Sequence, residues 1–129
     1  MTADIRTARQ VGLASVRRLD DQEEWRSTCG FRRDLVQVSK DEPVWFHYMR
    51  ISDSRKHRHA RTIEYYFVVE GHGEMELDNE TVPIAKGDMI VVPPGVFHTS
   101  RPTGDEELHV LIIAVPPPGE GPEPELYFE

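Results

Sequence analysis

The sequence predicts an all-β single domain, and three observations carry that prediction. From Phe31 to Val115 the chain breaks into short runs rich in aromatic and β-branched residues, punctuated by Gly, Pro, Asn and Asp. No stretch sustains a helical period. The length, 129 residues, suits one domain with a real core. Short strands joined by regular turn chemistry make a sandwich or a barrel.

Residues 1–28 form a polar, mixed N-terminal extension. Within it DDQEEWRS reads as one short helix, with Asp20 or Asp21 as N-cap and Gly30 just past its end. Residues 29–115 are the β domain. The run VWFHYMRIS, from Val44, alternates and is aromatic-rich, and TIEYYFVVEG follows as a second strand. GEMELDNETVPI places two arms around the turn residues Asp78 and Asn79. GDMIVVPPG is a strand ended by Pro93 and Pro94, and ELHVLIIAVP is the last. Residues 116–129, PPPGEGPEPELYFE, carry too much Pro and Glu to build a core and read as an extended tail. Leu126, Tyr127 and Phe128 at its end are apolar enough to dock, loosely resemble a protease-site remnant, and are assigned no function.

Composition narrows the function. The formal net charge is −8, with acids at 20–24, 105–107 and along the tail, which argues against nucleic acid as a partner. There is no run of eighteen apolar residues, so no membrane-spanning helix is expected. The basic N-terminus lacks the apolar stretch of a secretion signal. Cys29 stands alone, cannot make an internal disulfide and reads as a small buried filler. A cytoplasmic protein is the expectation.

The chemistry concentrates in KHRHARTIEYYFVVEG, residues 56–71. His57 and His59, two apart on a strand, share a face. A short turn over Ala60–Thr62 brings Glu64 alongside them, and Tyr66 and Val68 continue the face of Glu64. In GDMIVVPPGVFHTS, Pro94-Gly95 sets a sharp reversal that delivers His98 back onto the sheet. Imidazoles and a carboxylate are costly beside a core strand unless something binds them. Three histidines and one glutamate suit a borderline divalent cation: Fe, Mn, Co, Ni, Cu or Zn.

Residues 57–71 follow H-x-H-x4-E-x6-G, and residues 87–98 follow G-x5-P-x-G-x2-H. The two stretches resemble the paired motifs of the cupin superfamily, over roughly residues 44–115, with fifteen residues between Gly71 and Gly87 as in small single-domain members. Two positions depart from the pattern: Ile51 stands where the first motif opens with glycine, and Pro102 where the second ends with asparagine. The resemblance implies a jelly-roll-type β-barrel and one divalent metal ion per chain. His57, His59, Glu64 and His98 fall on the family's metal ligands. It also implies either a metal-dependent enzyme on a small metabolite (isomerase, dioxygenase or lyase) or a non-catalytic module binding a sugar or carboxylate around a structural metal.

Tyr66, His47, Tyr48 and Arg50 are the candidates to line the pocket. Alternation puts His47 with Trp45 and Met49, and Phe46 with Tyr48, without deciding which face is inside. Arg50, Arg55 and Arg61, offset nearby only by Asp53, could draw an anionic ligand; Arg58 points away from the metal. His109 is expected to face outward and His72 to be solvated. Tyr65, Phe67 and Val69 turn an apolar surface away from the metal, so a homodimer covering it is expected, with the N-terminal segment as the alternative cover.

Overall fold

In a computed structural model, residues 5, 8–52, 54–119 and 127–128 are described. Asp53 and Leu126 lie outside them, as does most of the tail. The strands are β1 (Arg9–Val11), β2 (Ala14–Val16), β3 (Trp25–Arg26), β4 (Gly30–Val36), β5 (Trp45–Ile51), β6 (His57–Arg58), β7 (Ile63–Glu70), β8 (His72–Leu77), β9 (Glu80–Ala85), β10 (Met89–Val92), β11 (His98–Pro102), β12 (Leu108–Val115) and β13 (Tyr127–Phe128). Two antiparallel sheets form the jelly roll: a six-stranded one in the order β10-β7-β12-β5-β4-β3 and a five-stranded one in the order β13-β6-β11-β8-β9. A separate hairpin, β1-β2, stands apart from both.

The alternation seen in the sequence becomes the two faces of the larger sheet. Glu64, Tyr66 and Val68 on β7 are buried, as are His47, Met49 and Ile51 on β5 and Leu108, Val110, Ile112 and Ala114 on β12. The smaller sheet contributes Met75 and Ile84 to the same core. Phe67 lies on the opposite face of β7 and remains 38% exposed, with Met89 and Val91 of the neighbouring strand at 55% and 49%.

The Asp78-Asn79 hairpin forms as expected, pairing Leu77 with Glu80; Asp78 adopts φ +53, which Asp tolerates better than most residues. Gly71 takes φ +83 where β7 hands over to β8, and a Cβ there would collide with the carbonyl oxygen of Glu107. That packing ties the turn to the residues that lead into β12.

The expected helix in DDQEEWRS is corrected. A single 3-10 turn covers Leu19–Asp21, and Trp25-Arg26 is a strand paired with β4. Tertiary contacts outweigh the local cap signals. The Trp25 indole Nε1 donates to Asp34 Oδ2 at 3.0 Å, and the Arg32 guanidinium stacks over the Trp25 ring at 4.5 Å. Gly30 accordingly opens β4 instead of following a helix. The chain end docks: β13 pairs with the short strand β6, Arg55 lies 3.9 Å over the Phe128 ring and Arg58 lies 4.6 Å over Tyr127.

Candidate metal centre

Three elements deliver the four ligand-type side chains. β6 carries His57, and His59 follows it; β7 carries Glu64; β11 opens on His98. Register brings them together, because His98 pairs directly with His57 across β11 and β6. The Pro-Pro-Gly turn works as the sequence suggests. Gly95 sits at φ +90, and its N–H donates to the His59 carbonyl at 2.8 Å, so the two motifs are tied through the backbone. Among the described residues, the ligand atoms of His57, His59, Glu64 and His98 all lie within 4.8 Å of one another. His57, Glu64 and His98 are buried; His59 is the most open of the four, with 15% of its side chain exposed.

The tautomers show what the cluster is built to hold. Nδ1 of His57 lies 2.8 Å from the Arg55 carbonyl, and Nδ1 of His98 lies 2.9 Å from the Val96 carbonyl. A carbonyl only accepts, so each Nδ1 carries the proton and each Nε2 of a neutral ring keeps its lone pair. Yet Nε2 of His98 and Nε2 of His59 both stand 3.0 Å from Oε1 of Glu64. A lone pair facing a carboxylate is repulsive unless positive charge lies between them. A second proton on His98 would supply it, and so would a divalent cation; backbone carbonyls that orient metal-binding imidazoles are the usual support for the latter. Burial, reinforced by His98 nearby, pushes the His57 imidazole down to about 4, so this ring is neutral at physiological pH and fit to coordinate. Burial alone would raise the Glu64 carboxyl. The close approach of the His59 and His98 imidazoles overcomes it and holds the group well below its usual range, ionised. The residues fit a metal ion.

Around the cluster the candidate lining residues part company. Tyr66 is inside, 2% exposed, with its ring edge-on to His98 at 5.8 Å. Burial, and then the Glu64 charge, push its hydroxyl well above 10, so it stays protonated. His47 is inside too, 5% exposed. Tyr48 and Arg50 are placed on the outer face, because strand alternation sends them opposite to His47 and Met49. The Tyr48 hydroxyl meets His109 Nδ1 at 2.7 Å, which also fixes His109 outside. Arg50 donates to Glu24 at 2.9 Å and to Glu107 at 2.6 Å, so two carboxylates already neutralise it. Arg55 is occupied by Phe128. His72 is exposed and bonds Thr103 Oγ1 at 2.9 Å. Cys29 is buried, and burial pushes its thiol up to about 11, as expected of a filler.

Sequence reasoning missed Asp34. It is 2% exposed on β4, opposite His47, and accepts from Arg32 at 2.7 Å, from Trp25 and from Gln37 Nε2 at 3.3 Å. The signal was present in Phe31–Val36, where an aspartate stands two residues from an arginine in an otherwise strand-like run.

The chain is similar to several known proteins. The chain is 35% identical over 57 residues to a 5-nitrosalicylic acid 1,2-dioxygenase of Bradyrhizobium, covering 44% of this chain and 27% of that protein. It is 29% identical over 59 residues to an oxalate-binding protein of Thermotoga maritima, covering 46% and 49%. The chain thus spans about half or less of the length of these relatives. A crystal structure of a protein from Planctomyces limnophilus superposes with a TM-score of 0.77 at 24% identity, over 91% of this chain and 98% of that one, and so shares its fold. Residues 45–114, from the start of β5 almost to the end of β12, match the cupin domain family. That match takes in over half of the chain and both histidine motifs, and the protein belongs to the cupins.

Proposed function

We propose that this cupin binds one divalent metal ion through His57, His59, Glu64 and His98 and acts as a metal-dependent enzyme on a small metabolite. The observation that carries the reading is the pair of imidazole Nε2 atoms held 3.0 Å from one ionised carboxylate in a buried site. Four protein ligands on a metal that takes six would leave two positions for a substrate, and the bound ion would supply Lewis acidity or redox chemistry there. The chain's own contribution is the buried setting of the cluster, two carbonyl-fixed imidazoles and the protonated Tyr66 beside them. Isomerisation, dioxygenation and elimination all remain compatible with this set of parts, since a fold does not choose its reaction. The ligand is small and, next to a cation, anionic. The working form is a homodimer in the cytoplasm, covering the outer face that carries Phe67, Met89 and Val91.

A second reading has one supporting observation, the resemblance to an oxalate-binding protein. In it the metal anchors a carboxylate or sugar and nothing turns over. One experiment separates the two. The purified protein is analysed for metal, reloaded, and incubated with a mixture of small metabolites. Depletion of a compound supports the enzyme; thermal stabilisation by a compound that is not consumed supports the binding module. A wild-type protein that takes up no divalent metal would end both.

A further inference from the structure

His47 is a buried histidine that the metal cluster does not use. Across the six-stranded sheet the inward positions form rows. One row runs Val92, Glu64, Ala114, Trp45; the next runs Ile90, Tyr66, Ile112, His47, Asp34. Adjacent strands lie roughly 4.8 Å apart, so Glu64 and Trp45 are about two strand spacings from each other. The residue between them, Ala114, is the smallest side chain on the buried face of β12. The interior wall is therefore low over Ala114, with Glu64 of the metal cluster on one side, Trp45 of β5 on the other and His47 diagonal to it in the next row.

His47 is polar where an apolar residue would pack as well. Its Nδ1 is buried and has no hydrogen-bond partner among the described residues. Oδ1 of Asp34 lies 4.0 Å from it, beyond hydrogen-bond reach and already engaged by Arg32. Leaving such an atom unpaired costs free energy, so the fold does not explain the residue. Asp34 itself is held in place by Trp25, Arg32 and Gln37. Burial, and then the charge of Arg32, keep the imidazole neutral, while Glu64 and His59 are close enough to act on it electrostatically.

We propose that His47 is a ligand-contacting residue on β5 beside the metal cluster, donating its imidazole N–H to a small chelating carboxylate held over Ala114. This rests on the proposed metal site. It adds a polar contact on β5, outside both histidine motifs, and it assigns the low wall at Ala114 as the place where the ligand lies.

The test uses Co(II)-loaded protein, with oxalate as the probe and the visible absorption of the metal as the readout. Wild type, His47→Leu, His47→Gln and the outer-face control His109→Leu are compared. Metal content is measured first; a wild type that takes up no Co(II) breaks the metal reading, and the His47 proposal falls with it. With metal in place, His47→Leu should retain full metal content and bind oxalate about tenfold more weakly, the size of one lost hydrogen bond. His47→Gln should recover part of the loss, and His109→Leu should match wild type. The metal-free His47→Leu protein should melt no lower than wild type, since the polar atom it removes is unpaired. Equal oxalate affinity in wild type and His47→Leu, or no spectral response of loaded wild type to oxalate, would overturn the proposal. So would a lowered melting temperature with unchanged oxalate binding. If His47→Leu does not fold, His47→Ala takes its place: weaker oxalate binding in that variant supports the proposal, and wild-type affinity overturns it.

Discussion

The two ends of the barrel interior are built from the same strands and differ in nearly every other respect. Toward one end β7 carries Glu64 and Tyr66, β5 carries His47 and β11 carries His98; toward the other the same or neighbouring strands carry Val68, Met49, Ile51, Val110 and Leu108. Alternation is identical at both ends, and every one of these residues is buried. Burial alone therefore does not separate a stabilising position from a chemical one. What separates them is the partner each buried group finds. At the apolar end, removal from water is itself the gain. At the polar end, each imidazole or carboxylate must be matched by a carbonyl, a counter-charge or a bound group, or it costs stability. The polar end is thus the part of the barrel that a better-packed sequence would eliminate, and its persistence is the physical argument for function.

The sharpest way to break this comparison is to remove ligands. His57→Ala, His59→Ala, Glu64→Ala and His98→Ala should each sharply lower metal content while leaving a folded barrel, because loss even of groups that merely support a ligand costs roughly 10–100-fold in affinity. Full metal occupancy in a His57→Ala/His98→Ala double variant, measured by elemental analysis, would refute the assignment. The apolar end should behave in the opposite way. Leu108 is fully buried, and Leu108→Ala should cost about 2–5 kcal/mol of stability in denaturant unfolding. Its metal stoichiometry should stay unchanged. Loss of metal from folded Leu108→Ala protein would show that the two ends are not independent.

The outer face extends the contrast. Phe67→Asp places a charge among Met89 and Val91, and should split a dimer or abolish soluble expression. Burying each large side chain there would contribute about 1.5–3 kcal/mol. Light scattering on the unaltered protein is the direct measurement. A monomer at micromolar concentration would leave the N-terminal segment as the cover, and deletion of residues 1–18 should then cause aggregation.

The smallest effect expected is on the pH dependence of the metal-free protein. An unfolded chain takes up a proton on His57 near roughly pH 6.5, whereas the folded protein refuses it until about 4. Between those values the unfolded state binds more protons, so stability rises with pH and is lost as pH falls from about 6.5 toward 4. His47, held low chiefly by burial, acts in the same direction. Glu64 adds to it at lower pH: its carboxyl is held well below its ordinary value of 4.5, so its contribution is present above that pH and lost as pH falls below it. Urea midpoints of chelator-treated protein across this range would measure the slope; a midpoint that is flat or climbs toward acid would contradict the protonation states assigned to the polar end.

Much of this was legible in the residues. Alternation in Ile63–Glu70 sorts Glu64 and Tyr66 from Tyr65 and Phe67, because successive side chains of a strand must point to opposite faces. The spacing of His57, His59, Glu64 and His98, with a turn at Pro94-Gly95, is local chemistry that a sequence records. The helix read in DDQEEWRS was not local in the same sense. Its cap residues are real, but Trp25 is claimed by Asp34 and Arg32 on β4, and those contacts exist only once the sheet has formed. The same holds for the lining residues. Alternation divides His47 from Tyr48 but carries no label for inside and outside. That label comes from β5 pairing with β12 on one side and β4 on the other, which turns His47 inward between Ile112 and Asp34 and sets Tyr48 against His109. By itself the sequence determined the strand character, the two motifs and the four ligand-type residues they carry, because each is read from neighbours within a few positions. Only the tertiary structure decided which face of β5 is interior, that Arg50 is spent on Glu24 and Glu107, and that Asp34 stands behind His47. Those facts depend on strands that are distant in the chain and meet only when the sheets close.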